Sequence, residues 1–144
     1  MRASEVMTPD VAVLAPDATV REAAQMMDQL NVGVVPVCEG HTLVGIITDR
    51  DITIRCTAAG MPFDTPLRDV MTTDVSWCAE DDPVAKVEED MARLRIRRMP
   101  VVDRAQRLVG IVALGDLAAD RVPGTEGTLR AISLPAEPDR TGGY

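Results

Sequence analysis

At 144 residues the chain is long enough for one compact domain with a core, or for two small halves that share one. Its 23 acidic and 15 basic side chains give a net charge of −8, which disfavours nucleic acid or an anionic membrane as a partner. No apolar run approaches the roughly 20 residues that span a bilayer and no signal-like segment opens the chain, so we expect a cytoplasmic protein.

Matching elements recur along the chain at a nearly fixed interval, which indicates two copies of one unit. Val6-Met7-Thr8 is answered by Val70-Met71-Thr72 and Val35-Pro36-Val37 by Met99-Pro100-Val101, both at an offset of 64 residues (70 − 6 and 100 − 36). Gly45 is answered by Gly110, 65 residues on (110 − 45). We therefore predict a first repeat over residues 1–60, a linker over 61–69, a second repeat over 70–121 and a tail over 122–144.

In chain order, each repeat is predicted as strand, helix, two strands and helix, a mixed α/β (α+β) fold. The first repeat has predicted strands near 11–14, 34–38 and 43–47 and helices over Val20–Leu30 and 49–59. The second has predicted strands near 75–78, 99–102 and 108–112 and helices over Val84–Leu94 and 114–120, and the tail has a short one near 128–133. Because neither half buries much alone, we expect the two to pack face to face about a pseudo-twofold axis and to form two clefts.

The first helix of each repeat carries an apolar face at helical spacing. Its members are Val20, Ala23, Met27 and Leu30 in one repeat and Val84, Val87, Met91 and Leu94 in the other. Asp82 is the predicted N-cap of the second of these helices, with Pro83 at its first position.

The predicted strand over 43–47 ends in oxygen-bearing side chains, Thr48, Asp49 and Asp51. Thr48 or Asp49 can cap a helix that begins there, and the free N–H groups of such a helix end attract an anion such as phosphate. Asp51 follows Thr48 by three residues, so both lie on one face of the first turn, where a carboxylate can accept two hydrogen bonds from a cis-diol. The alternative is that Thr48 and Asp51 only cap the helix.

Four arginines, Arg93, Arg95, Arg97 and Arg98, lie close together in an otherwise acidic chain. Guanidinium groups bind phosphate with paired hydrogen bonds, so this group is a candidate anion site. The alternative is a solvated helix end, where cations also favour the C-terminal dipole. Since neighbouring strand residues point to opposite faces, Arg97 and Arg98 cannot both face one cleft if both are extended.

Three cysteines, Cys38, Cys56 and Cys78, are widely spaced and odd in number, so we expect reduced, mostly buried thiols. Cys38 and His41 have the spacing of a zinc-binding pair, but two ligands are too few for a closed site, so we predict no resident metal. A thiol or metal sensor stays a minor alternative. No nucleophile beside a base emerges from the chain, so we expect no enzyme.

The Val-Met-Thr starts, the two Pro-Val strands and the Gly-x-x-Thr-x-x-Asp run from Gly45 to Asp51 resemble the cystathionine-β-synthase (CBS) domain family. The resemblance spans roughly residues 3–120 as a tandem pair, a Bateman module. The layout is similar to the small stand-alone two-CBS proteins of bacteria, among them mycobacterial hypoxic-response proteins.

The resemblance implies that an adenine nucleotide (AMP, ADP or ATP) or a related adenosyl ligand binds in a cleft between the repeats, without a further cofactor. Carried over onto this sequence, Thr48 would meet phosphate or sugar and Asp51 the ribose hydroxyls, opposite Arg97 and Arg98 on phosphate. Asp10-Val11 and Asp74-Val75 take the places of backbone contacts to adenine.

The other cleft departs from the family pattern. It would hold Ala113 and Asp116, and it lacks both the hydroxyl and a facing cation. We therefore predict one competent nucleotide site per chain.

Together these observations predict a sensor module that binds an adenine nucleotide, forms a homodimer as two-CBS proteins commonly do, and signals to an effector protein. The competing hypothesis is a ligand-independent dimeric scaffold or stress protein. It is favoured by the degenerate second cleft and by the lack of an attached effector domain.

Overall fold

The computed structural model describes residues 1–119, so the predicted tail and its short helix lie outside the described residues. The helices are α1 (Ala3–Val6), α2 (Val20–Leu30), α3 (Asp49–Asp51), α4 (Val84–Leu94) and α5 (Leu114–Ala119). The strands are β1 (Thr8–Pro9), β2 (Val34–Glu39), β3 (Thr42–Thr48), β4 (Cys78–Ala79), β5 (Arg98–Val102) and β6 (Leu108–Ala113). A π-helical segment, Ile52–Thr57, continues α3, and a 3₁₀ turn covers Leu67–Asp69. No helix within residues 1–119 is long and apolar enough to cross a membrane.

Contacts divide the chain into two compact units. The central unit is Ala12–Val75, and the terminal unit joins Met1–Val11 to the chain from Ser76 onward. The short segment that opens each predicted repeat therefore belongs to the unit that contains the other repeat's hairpin. The repeat boundaries remain a prediction about the sequence, because contacts group the chain by packing partner and not by repeat.

The central unit is built on the antiparallel hairpin of β2 and β3, in which Val34 lies opposite Thr48. Thr72 bridges to Ile46 on one side of the hairpin, antiparallel, and Leu14 bridges to Val37 on the other side, parallel. This unit has its own apolar core. Its fully buried members include Val35, Val37, Ile47, Leu67 and Val70.

The terminal unit has the same strand order, with longer pairing. Its four-stranded sheet runs β1, β6, β5, β4, antiparallel except for the parallel pair of β4 with β5. The helix α1 closes this unit, since Ala3 and Val6 are buried in a core with Val87, Met91 and Val101. Mixed strands and helices in both units confirm the predicted fold class.

The strands predicted over 11–14 and 75–78 are much shorter in the structure, where Leu14 makes a single bridge and β4 has two residues. Each lies parallel to a strand that contains a proline, Pro36 or Pro100. In the observed register, the residue two positions before Leu14 would need a hydrogen bond from the nitrogen of Pro36, which has no N–H. Proline therefore keeps both parallel strands from beginning earlier in the sequence.

The long helices begin and end as local sequence dictates, with two corrections. Thr19 and Glu22 form a capping box at α2. At α4 the N-cap is Pro83 and not the predicted Asp82. The Asp82 carboxylate accepts instead from the Ala79 N–H at 3.0 Å. Leu30 and Leu94, predicted as core positions, are 51% and 37% exposed. Each is the last residue of its helix, and the next residue turns the chain away in a left-handed conformation.

The three cysteines are free and buried, as predicted from their spacing. Burial raises the pKa of Cys38. Burial, with a smaller contribution from the Asp82 carboxylate, raises the pKa of Cys78 to about 12. The Cys78 thiol therefore stays protonated and unreactive at neutral pH.

Candidate functional site

The start of α3 carries the polar residues that the sequence singled out. Thr48 is the N-cap, and its hydroxyl accepts a hydrogen bond from the Asp51 N–H at 3.0 Å. The Asp51 carboxylate in return accepts from the Thr48 N–H at 3.1 Å. The capping arrangement offered as the alternative explanation is thus present, and it fixes the orientation of the Asp51 side chain.

Thr72 adds a second hydroxyl to the Asp51 carboxylate. The Thr72 side chain donates toward both carboxylate oxygens at 3.2 Å, and the Thr72 backbone pairs with Ile46 through two hydrogen bonds of 2.9 Å. We call Thr48, Asp51 and Thr72 the hydroxyl–carboxylate cluster. The sequence reasoning missed Thr72, although the repeated Val-Met-Thr motif was a signal that could have found it.

Close approach of the Thr72 segment to β3 depends on Gly45. A Cβ atom at Gly45 would lie 2.9 Å from the Thr72 carbonyl oxygen and 3.0 Å from the Met71 sulfur. Gly110 has the same role in the terminal unit, where a Cβ atom would lie 2.7 Å from the Thr8 carbonyl oxygen. A glycine therefore recurs at the equivalent position of each repeat because the paired backbone comes too close there for a Cβ atom.

Arg55 places a positive charge beside the hydroxyl–carboxylate cluster. Its Nε lies 3.7 Å from an Asp51 carboxylate oxygen, and its Nη1 donates to the Met71 carbonyl at 3.2 Å. The Arg55 side chain is half exposed while Asp51 is 7% exposed and Thr48 9%. The buried carboxylate is therefore balanced by N–H, hydroxyl and guanidinium groups, as a buried charge requires. Arg55 was not singled out from the sequence.

Asp49, the third predicted residue of this turn, points elsewhere. Its N–H donates to the Gly33 carbonyl at 3.0 Å, and its carboxylate oxygen lies 3.0 Å from the position that a Cβ atom on Gly33 would occupy. Asp49 is exposed. The structure thus brings together Thr48 and Asp51 and leaves Asp49 beside the start of β2.

The terminal unit contains a reduced version of the same turn. The Asp116 carboxylate accepts from the Ala113 N–H at 3.0 Å, as Asp51 does from Thr48. Ala113 has no side-chain hydroxyl to accept a hydrogen bond from the Asp116 N–H, so the second hydrogen bond of the capping box is missing. Thr8 lies opposite Ile111 in the register that Thr72 has opposite Ile46, and Thr8 is exposed.

The predicted phosphate-binding arginines also belong to the terminal unit. Arg97 precedes β5 and its carbonyl accepts from the Leu114 N–H at 2.9 Å, while Arg98 opens β5 opposite Ala113. Both side chains are half-buried. Arg93, the first arginine of the group, is paired with Asp90 at 3.0 Å on the exposed side of α4. Hydrogen bonds from Lys86 and Arg93 lower the pKa of Asp90.

The residues predicted to meet adenine end two segments, residues 7–11 and 71–75, whose threonines pair with β6 and β3 and which we call the crossing segments. Asp10 is exposed and left-handed with a φ of 55°, and Val11 is the last residue before the central unit begins. Asp74 is exposed and Val75 half-buried at the end of the central unit. In each unit, these positions begin two residues after the threonine that pairs with the hairpin.

The metal hypothesis rested on Cys38 and His41. Cys38 is buried in β2 and His41 lies exposed in the following turn. Within residues 1–119, no three histidine, cysteine, aspartate or glutamate side chains come together where they could hold a metal ion.

A sequence model of the CBS domain matches residues 3–56 and again residues 67–121. The chain therefore belongs to the CBS-domain family and carries two CBS domains in tandem. It is 44% identical over 118 residues to the CBS domain-containing protein YhcV of Bacillus subtilis, which covers 82% of this chain and 84% of that protein. Hypoxic response protein 1 of Mycobacterium tuberculosis is 31% identical over 118 residues, 81% of this chain and 82% of that one.

Solved structures agree with the sequence relatives. Hypoxic Response Protein I, whose crystal structure has two coordinated zinc ions, matches with a TM-score of 0.75 and 30% identity over 83% of this chain and 98% of that one. CBSX2, crystallised in complex with AMP, matches with a TM-score of 0.73 over 84% of this chain and 96% of that one. At 22% identity, the likeness to CBSX2 shows the fold alone.

Proposed function

We propose that this protein is a regulatory module that binds an adenine nucleotide, AMP, ADP or ATP, and that Asp51 in the hydroxyl–carboxylate cluster of the central unit contacts the ribose. Membership of the CBS-domain family supports the proposal, as does the AMP complex of CBSX2, which has the same fold. In this role the protein senses a ligand and catalyses no reaction.

One observation carries the assignment to this site. The Thr72 hydroxyl lies 3.2 Å from both oxygens of the Asp51 carboxylate, so both oxygens face a position that a hydroxyl group can occupy. A ribose presents two neighbouring hydroxyl groups, and an ionised carboxylate binds such a diol with two charge-assisted hydrogen bonds. Capping and ligand contact are compatible, because the capping bonds hold Asp51 in the orientation that a ribose needs.

Positive charge for the phosphate is available close to the cluster. Arg55 is half exposed, and its guanidinium group already lies within 4 Å of Asp51. Arg97 and Arg98 remain proposed phosphate ligands on the sequence pattern, with Asp10, Val11, Asp74 and Val75 as proposed backbone contacts. The terminal unit has Ala113 in place of Thr48, so we propose that Asp116 contributes little to binding.

Calorimetric titration with AMP, ADP, ATP, NADH and S-adenosylmethionine tests this function. We expect sub-millimolar binding of at least one adenine nucleotide, weakened at least tenfold in Asp51→Asn, since a charge-assisted pair contributes about 1.5–3 kcal/mol. The matched control is Asp116→Asn, which changes the equivalent carboxylate of the terminal unit and should leave the affinity unchanged. If Asp51→Asn binds as tightly as the wild type, the assignment of the site to Asp51 is wrong. If no nucleotide binds, the proposed function is wrong and the ligand-independent scaffold is supported.

We also propose that the functional form is a homodimer. Leu30 and Leu94 occupy equivalent helix ends and expose 51% and 37% of their surface, and Ile54 and Trp77 are similarly exposed. Each unit thus leaves two of these large apolar side chains exposed, and we propose that a second copy of the chain covers them. Sedimentation should give about twice the 15.5 kDa chain mass, with dissociation in Leu30→Glu but not in the neighbouring control Gln29→Glu. A monomer at micromolar concentration contradicts the proposal.

A further inference from the structure

Thr72 occupies the face of the Asp51 carboxylate that a ribose would use. Its hydroxyl lies 3.2 Å from each oxygen, while the Thr48 N–H takes one further position on Oδ2 at 3.1 Å. The Arg55 Nε approaches the other oxygen, Oδ1, at 3.7 Å. Asp51 is 7% exposed in this arrangement, so little of the residue faces solvent. A diol cannot reach both oxygens while the Thr72 hydroxyl stays between them.

The Thr72 side chain can move without disturbing its backbone. The two hydrogen bonds of 2.9 Å that join Thr72 to Ile46 are made by main-chain atoms. Rotation of the side chain about its first torsion angle to another staggered position therefore breaks the contact with Asp51 and leaves the strand pairing intact. The cost is one charge-assisted hydrogen bond.

We propose that Thr72 is a positioning residue that sets the affinity of this site, because its hydroxyl holds the Asp51 carboxylate in the ligand-free protein and must be displaced by the ribose diol. The inference rests on the proposed function and goes beyond it by naming a competitor within the chain.

The test is calorimetric titration of wild type, Thr72→Val and Thr72→Ser with AMP, ADP and ATP and with the 2′,3′-dideoxy form of each. Valine removes the competing hydroxyl, so the dissociation constant for the ribonucleotide should fall about five- to tenfold, while serine should keep the wild-type value. The dideoxy forms lack the diol and should bind the wild type and Thr72→Val equally. Thr8→Val, the equivalent change in the terminal unit, is the matched control and should have no effect.

The outcomes separate this inference from the function beneath it. Tighter binding of the ribonucleotide alone by Thr72→Val supports the inference. Binding by the wild type with an equal or weaker affinity in Thr72→Val overturns the inference and leaves the proposed function standing. A gain that is the same for the dideoxy forms also overturns it, and binding to neither protein overturns both. Thermal unfolding of each variant checks that the compared proteins are folded. If Thr72 had a purely structural role, its substitution would lower the melting temperature without raising the affinity.

Discussion

Asp51 combines two tasks at the scale of the single residue. It completes the capping box that begins α3, and it holds the hydroxyl of Thr72, a residue 21 positions further along the chain. The first contact is local and could be predicted from spacing in the sequence. The second depends on the backbone pairing of Thr72 with Ile46, so no local pattern around Asp51 contains it.

At the residue scale, we predict that substitution of Gly45 or Gly110 by alanine destabilises the protein. Substitution of Gly110 by alanine would put a Cβ atom 2.7 Å from the Thr8 carbonyl oxygen and 2.5 Å from the Met7 sulfur, and Gly45→Ala would put one 2.9 Å from the Thr72 carbonyl oxygen. We expect each change to lower the free energy of unfolding by about 1–3 kcal/mol, as overpacking does, with the larger loss at Gly110. Urea denaturation measures the loss.

Gly115→Ala is the matched control for these two substitutions. A Cβ atom there meets nothing within 4 Å, and Gly115 lies inside α5, where alanine is the better helix former. The control should be neutral or slightly stabilising. If Gly45→Ala and Gly110→Ala are as stable as Gly115→Ala, the close approach described for the crossing segments is wrong.

At the scale of the element, the helix α1 lies in the first repeat of the sequence but packs within the terminal unit. The Ala3 N–H donates to the Asp82 carbonyl at 2.9 Å and the Ser4 N–H to the Glu80 carbonyl at 3.1 Å. Ala3 is fully buried and Val6 is 7% exposed. A helix of four residues has little stability of its own, so these contacts account for its presence.

The packing of α1 predicts which unit a mutation in it will weaken. Val6→Ala removes two methyl groups from the terminal core and should cost about 1–2 kcal/mol. Native-state hydrogen exchange should then show faster exchange for core amides of β5 and β6, with β2 and β3 unchanged. Faster exchange in β2 and β3 instead would mean that α1 packs within the central unit, against the observed contacts.

The elements differ in how far the sequence could predict them. The helices α2 and α4 and the hairpins were recovered because their signals, a 3.6-residue apolar period and a turn between apolar runs, lie within a dozen residues. The short parallel strands were overestimated, because Pro36 and Pro100 act on a neighbouring strand that is remote in sequence. Thr72 was missed for a similar reason, since it reaches Asp51 only after its segment has paired with β3. Arg55 lies four residues after Asp51, so its contact is local and the helical spacing could have indicated it.

At the scale of the whole molecule, the repeat in the sequence and the compact unit in the structure are different things. A fragment over residues 1–60 contains one predicted repeat but lacks Leu67 and Val70, which are fully buried in the central core. A fragment over residues 12–75 contains the central unit entire. We expect circular dichroism and amide NMR spectra to show more ordered structure in the second fragment than in the first, and equal order in the two would contradict this division of the chain.

The crossing of the first segment into the terminal unit also sets an order of events during synthesis. The central unit is contiguous, so it can fold as soon as residue 75 is available, whereas Ala3 and Val6 need partners as late as Leu114 and Leu117. At typical translation rates of about 5–20 residues per second, the start of the chain spends roughly 2–9 s without its partners after the central unit is complete. The central unit can therefore fold before residues 3–6 are buried, because their partners are made later.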